Sequence, residues 1–443
     1  VEASDFRRSI LAQSLTNQSA MKYSGIFLLL LIATRSLAQP EMSDALVYDN
    51  KVYQPEIYSV QAYPSGNPLG VPFIQLNSGE VLEFHFDRMG MDMPDYTFQA
   101  IHCDHNWQPT ALEPFEYIQG FPEGQISDVE ASFNTLIDFI HYTFQFPNAM
   151  MKPRFSGNYL IVVYGEGDPD DIVLSLRVVV YETIVNAGGV IRNSSVIRDR
   201  YTHQEFDFTI GTATYNIRDV NRDLNVVLMQ NWDWRHTITG LKPIFIKENE
   251  LTFDYSGENT FAGGKEWRDF EMKDFRYASL EVANIMREPD GWHVHLVPDI
   301  PLGTKSYDTR IDLNGRYFVR NDEGAEATLD ADYAYVHFEL KCNEIPEGQV
   351  FAEGDFSKYT PEKYELTWNP ATRSYTGIFL LKQGLYNYRY VVRDKYMNKD
   401  DISYTEGNHV ETENDYTLIV YETDRANGYD RIIGQFYINS NRQ

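Results

Sequence analysis

Apolar and polar residues alternate along most of this chain with a period of two, not 3.6. Such runs put one set of side chains on each face of a strand. In the first third they predict strands over 56–63, 73–77, 81–86, 96–103, 141–146, 159–164 and 172–181. Turn-forming clusters at 64–68, 77–79 and 165–171 separate several of these runs. The rhythm continues over 205–210, 224–229, 251–255 and 292–297, then over 350–356, 364–368, 375–384, 386–392, 416–421 and 432–439. No twelve-residue stretch carries a convincing helical period, and the 31 tyrosines and 26 phenylalanines sit in the alternating runs.

The fold class that follows is all-β, as tandem immunoglobulin- or fibronectin-like β-sandwich domains. About 400 residues exceed one ordinary core. The strand clusters suggest an N-terminal β-sandwich over 44–184, a middle β domain with long loops over 185–335, and a C-terminal sandwich over 336–443. Runs 416–421 and 432–439 are expected to close the last of these. Two cysteines, Cys103 and Cys342, fall in different blocks and form no disulfide framework, so folding is expected to rest on apolar burial.

The N-terminal segment reads differently. Met21 and Lys22 open a basic stretch, an apolar run covers 25–33, and Ser36-Leu37-Ala38 supplies the small residues of a cleavage site. Residues 21–38 are therefore expected to be a signal peptide, and 1–20 an upstream translation or gene-model artefact. The apolar run is too short to span a bilayer as a helix, and no later segment does better. The net charge of −27 deepens by two when the leader's four basic and two acidic residues are removed. That sign disfavours nucleic acid and anionic lipid.

Candidate chemistry concentrates in the heptapeptide IHCDHNW at 101–107. On a strand His102 and Cys103 point to opposite faces, so neither His102 with Asp104 nor Cys103 with His105 gives more than two metal ligands. A Cys–His nucleophile needs its base on the same face. The residues favour a strand edge running into a turn, with Trp107 covering the sandwich end. His293 and His295 share one strand face, opposite Trp292, Val294 and Leu296; the sequence names no third ligand, and a solvent-facing strand is the simpler reading. Trp232, Trp234 and Arg235 form a flat, adhesive group suited to an interface, or one ring plugs a core. Glu406, Glu411 and Glu413 cluster without calcium-loop spacing. Nucleophile-elbow, P-loop, dinucleotide-binding and zinc-protease motifs are missing from the sequence. The expectation is a non-enzyme with no catalytic set, no metal site and no cofactor.

Two resemblances add to this reading. The segments VFAEGDF at 350–356, Trp368-Asn369 and KQGLYNYRY at 382–390 resemble the early-set immunoglobulin module that binds glycogen or starch. That likeness implies a glycan platform at Tyr359 and Trp368, and with it an alternative role as a glycan-binding envelope protein. A second set of fragments runs in order along the mature chain: YSVQAYP at 58–64, LNSGE at 76–80, IHCD at 101–104 with Trp107, SFN at 132–134, SGNYL at 156–160, QNW at 230–232, DLNG at 312–315, ADYA at 331–334, KQG at 382–384 and ETEN at 411–414. Together they resemble the periplasmic plug proteins of the Bacteroidetes type IX secretion system. The resemblance implies a periplasmic protein held at the outer membrane through a large β-barrel translocon partner, whose mouth it closes when no cargo passes, with no direct membrane insertion and with room for other secretion-system subunits. Trp232, Trp234 and Arg235 are then the expected partner contacts.

Overall fold

The computed structural model describes residues 45–441 except 280, 323 and 325. The expected signal peptide at 21–38 and the segment 1–20 lie outside the described residues. From Val47 onward the chain forms one compact unit. It is all-β, and its helices among the described residues are single turns such as Pro114–Tyr117 and Val220–Asp223.

The first sandwich follows the alternation. One sheet runs Lys51–Val52, Asp168–Tyr181, Gly157–Gly165, Tyr96–Cys103, Glu123–Gln125, with Phe73–Gln75 added in parallel to Asp168–Tyr181. The other runs Ile57–Pro64, Leu82–Met89, Phe139–Phe146, Asp128–Ala131. Phe84, Phe86, Tyr142 and Phe144 of the second sheet meet Tyr96, Phe98, Ile161 and Val163 of the first in a common core. The strand Gly157–Gly165 is nearly all apolar because both its faces are covered. On the face away from this core, Leu160 and Val162 are fully buried, and the Asn158 side-chain oxygen accepts from the Tyr421 hydroxyl at 3.0 Å.

Strand pairing beyond residue 185 does not follow linear blocks. The second core joins Asn186–Asn193, His203–Gly211, Glu250–Phe253, Phe245–Lys247 and Thr260–Ala262 to a sheet ordered Thr237–Thr239, Leu224–Gln230, Asp415–Asp424, Tyr429–Asn439. Leu224, Val226 and Leu228 thus pack with Tyr416, Leu418, Val420 and Ile433. The third core lies between these two halves in sequence. Arg268–Glu271, Val282–Glu288, Gly291–Leu296 and Tyr317–Val319 share its sheets with Tyr333–Lys341, Gly348–Glu353, Glu365–Asn369, Ser374–Lys382 and Gly384–Asp394. The third sandwich is an insertion into the second. The expected cut at 335/336 falls inside the strand Tyr333–Lys341, and the terminal hairpin, expected to close the third sandwich, closes the second. Alternation identifies a strand but not its partner, so a return across some 180 residues leaves no local trace.

Candidate functional site

The three sandwiches meet pairwise, and several of the residues singled out in the sequence lie where they meet. The loop after Leu224–Gln230 turns sharply because Asn231 and Trp232 both adopt left-handed backbone, at φ 50° and 58°. The Asn231 amide and side chain tie this turn to the returning chain at Asp415 and Asn414. The turn aims two indoles at the first sandwich. Trp232 meets Phe73 edge-on at 5.1 Å and stacks on Tyr437 at 5.8 Å. Trp234 meets Trp107 edge-on at 4.9 Å, and the Arg177 guanidinium lies 4.6 Å over the Trp107 ring and 5.7 Å from that of Trp234. Such ring and cation contacts each add about 0.5–1.5 kcal/mol beyond simple burial.

Arg235 faces the third sandwich. It forks the Asp233 carboxylate and reaches Glu353 at 2.9 Å, where Arg389 also binds at 2.6 Å. Burial alone would raise the Asp233 carboxyl, but Arg235 and His236 hold it well below the usual range. Two adjoining cavities of about 50 and 90 Å³ open here, both lined by Trp232, Trp234 and Lys358. Trp232 and Trp234 are half-buried with their contacts made inside the molecule; only Arg235 of the three keeps much exposure, 39% of its side chain.

Between the first and third sandwiches the chemistry changes. The fully buried Asp87 accepts from His141 Nδ1 at 2.6 Å, from the Tyr333 hydroxyl at 2.6 Å and from Lys382 Nζ at 2.7 Å. Burial would raise its pKa, but Lys382 and His141 outweigh burial and keep the carboxylate ionised. Lys382 also donates to the Thr328 carbonyl and sits 4.0 Å over the Phe139 ring. Behind His141, His85 Nδ1 lies 3.1 Å from His141 Nε2. Burial and the neighbouring His141 push the His85 pKa down to about 4. The Asp332 carboxylate accepts from the amides of Leu136 and Ile137 across the same junction. Sequence reasoning gave Asp87, Asp332 and Tyr333 no site role: Asp87 follows the strand run 81–86, and Asp332 and Tyr333 stood only within the fragment ADYA at 331–334.

The heptapeptide IHCDHNW divides as strand geometry requires. His102 is buried against Tyr117 and Tyr159, its ring nitrogens facing Thr110 Oγ1 and the Ser156 carbonyl. Burial pushes its pKa down to about 4. Residue 157 must be glycine, since a Cβ there would lie 2.4 Å from His102 Nε2. Cys103 is fully buried and its thiol is pushed up to about 12, the opposite of an activated nucleophile. His105 Nδ1 contacts Asp430 of the second sandwich at 2.6 Å, and that hydrogen bond raises the imidazole pKa. Asp104 caps the following turn through the amides of Asn106 and Gln108. Trp107, with φ 62°, covers the sandwich end by docking on the second sandwich.

Tyr359, expected in a glycan platform, is only 9% exposed and packs into the first core, while Trp368 leans on Tyr375 at 5.1 Å. A stacking platform presents ring faces to solvent, and Tyr359 does not. His293 and His295 lie on the outer face of the third sandwich with a third imidazole, His337, from the neighbouring strand.

Residues 57–182, the first sandwich, match the family model for the type 9 secretion system plug protein first domain. The chain belongs to the type 9 secretion system plug protein family. The plug chain is also similar to the crystal structure of a hypothetical protein from Parabacteroides merdae ATCC 43184, with a TM-score of 0.85 and 30% identity over 89% of this chain and all of that one. The fold resemblance therefore runs well beyond the first domain. A comparison with curated proteins returned no match. This plug family supplies a structural component of a secretion system and places the chain in the cell envelope. None of its described helices is long and apolar enough to cross a membrane.

Proposed function

We propose that the protein is a rigid stopper that closes the periplasmic mouth of the large outer-membrane β-barrel translocon of the type IX secretion system when no cargo is passing. It works from the periplasm, held at the outer membrane by that barrel, and no bond is made or broken. The observation that carries this reading is the junction at Asp87. A carboxylate buried between two sandwiches and bonded to His141, Tyr333 and Lys382 holds them in one register, because any shift strands a charge away from water. The Trp107–Arg177–Trp234 packing fixes the second sandwich to the first. A stopper must resist deformation, and fusing three sandwiches gives a body roughly 55 Å across by the size rule for compact chains. That exceeds the lumen of barrels that already pass water.

Affinity for the rim has to be modest so that the stopper can leave. Purification of the untagged protein from envelope extracts tests the reading. A large outer-membrane barrel should co-purify, and a preparation with no barrel would remove the basis of the proposal.

A further inference from the structure

The outer face of the third sandwich carries three histidines on two adjacent strands. His293 and His295 lie on Gly291–Leu296, and His337 lies on the parallel neighbour Tyr333–Lys341, directly opposite His295 in register. All three are half-buried, and their alternate neighbours Val294, Leu296, Val336 and Phe338 fill the core. His293 Nδ1 and His337 Nε2 approach to 2.9 Å across 44 residues of sequence. The His295 ring stacks on His337 with centroids 3.9 Å apart. The second nitrogen of His293 lies 3.1 Å from an Asp290 carboxylate oxygen, with Glu288 at 3.9 Å.

We propose that His293 Nδ1 and His337 Nε2 chelate a divalent transition-metal ion of the zinc class. Zinc binds imidazole nitrogen at about 2.0–2.1 Å, so two nitrogens in a tetrahedral shell stand roughly 3.3 Å apart. The observed pair needs to open by only a few tenths of an ångström. Metal-binding histidines commonly donate their other N–H to a carboxylate, which fixes the tautomer and raises basicity. Asp290 stands where that carboxylate belongs, leaving the His293 Nδ1 lone pair for the ion. His295 supplies a third nitrogen by side-chain rotation, and water completes the shell. The imidazole donors select the zinc, copper and nickel class over magnesium and calcium, which take oxygen ligands. Binding ties together two strands, and the same strand carries Tyr333 to the Asp87 junction.

Titration of the full mature chain with zinc chloride, in millimolar magnesium to saturate general carboxylate sites, tests the proposal by calorimetry. One ion per chain is expected, with micromolar affinity. His293→Asn and His337→Asn should each weaken binding at least tenfold, and Asp290→Asn about threefold. Cobalt(II) loading of the unaltered protein gives a readout that survives any folding defect in the variants: its visible spectrum should report nitrogen ligation. No saturable binding, binding that folded His293→Asn and His337→Asn variants retain in full, or a cobalt spectrum of oxygen ligands alone would overturn the assignment.

Discussion

Two of the junctions of this protein, both made by the first sandwich, hold by contrasting means. Between the first and second, indoles and a guanidinium stack at a half-open seam, with Arg177 over Trp107 and Trp234 edge-on to it. Between the first and third, one fully buried carboxylate gathers an ammonium, an imidazole and a phenol. Stacked rings lose strength in proportion to the surface removed. A buried ion pair is all-or-none: removing one partner leaves a charge without water, whereas removing both can be close to neutral. The first seam is graded and the second is a lock.

The largest effect should come from breaking the lock on one side. Lys382→Met is expected to cost about 3–5 kcal/mol in urea unfolding, because Asp87 loses its countercharge. Asp87→Asn combined with Lys382→Met should recover most of that loss. If the single change is neutral, or if the double variant is as unstable as the single one, the contrast between the junctions collapses.

Trp234→Ala removes a half-buried ring from the graded seam and should cost about 1–3 kcal/mol. Trp234→Phe should cost about half as much, since an aromatic ring still meets Trp107. A full-sized loss on Trp234→Phe would mean that this seam is also all-or-none.

Acid should pull the junctions in opposite directions. His85 is buried at the lock, with its folded pKa lowered to about 4 against an ordinary 6.5. The unfolded chain then binds the proton first, so stability at the lock falls as pH drops from about 6.5 toward 4. His105 at the other seam has a raised folded pKa because it hydrogen-bonds Asp430. Its contribution is full below about 6.5 and is lost as pH rises through the folded value. The same contact holds Asp430 below the ordinary carboxylate value, so that part is present above about 3.8 and fades only as pH falls through the folded value. Hydrogen exchange at pH 7.5 and pH 5 should show looser amides near Asp87, by on the order of 1 kcal/mol, and tighter ones near His105 in acid. Parallel changes at both places would contradict the assignment of the two histidines.

Arg177→Lys is the smallest perturbation. It keeps the charge but loses the flat guanidinium face over Trp107, and should cost roughly 1 kcal/mol.

Much of the fold was legible because strands announce themselves locally. The run 96–103 alternates and became Tyr96–Cys103, and the continuous apolar run 159–164 became the strand covered on both faces. Pairing was not legible. Tyr416–Tyr421 reads as a strand in any context, and nothing near it says that Leu224–Gln230 is its neighbour. Site residues divided the same way. Strand geometry separated His102 from Cys103 correctly, because side-chain alternation is a property of the backbone. The tryptophans at 232 and 234 were visible as adhesive rings, but sequence could not say whether the adhesion was to a partner or to Phe73 and Trp107. His337 completes the cluster with His293 and His295 only after two strands 44 residues apart lie side by side.

Closure by a rigid body is tested most directly by electrical conductance of a planar bilayer holding the purified outer-membrane translocon barrel, recorded before and after the plug protein is added on the periplasmic side. The account predicts that the native protein shuts the open channel reversibly and that Lys382→Met, with its lock broken, shuts it less completely. A channel whose conductance is unchanged by saturating native protein would contradict it.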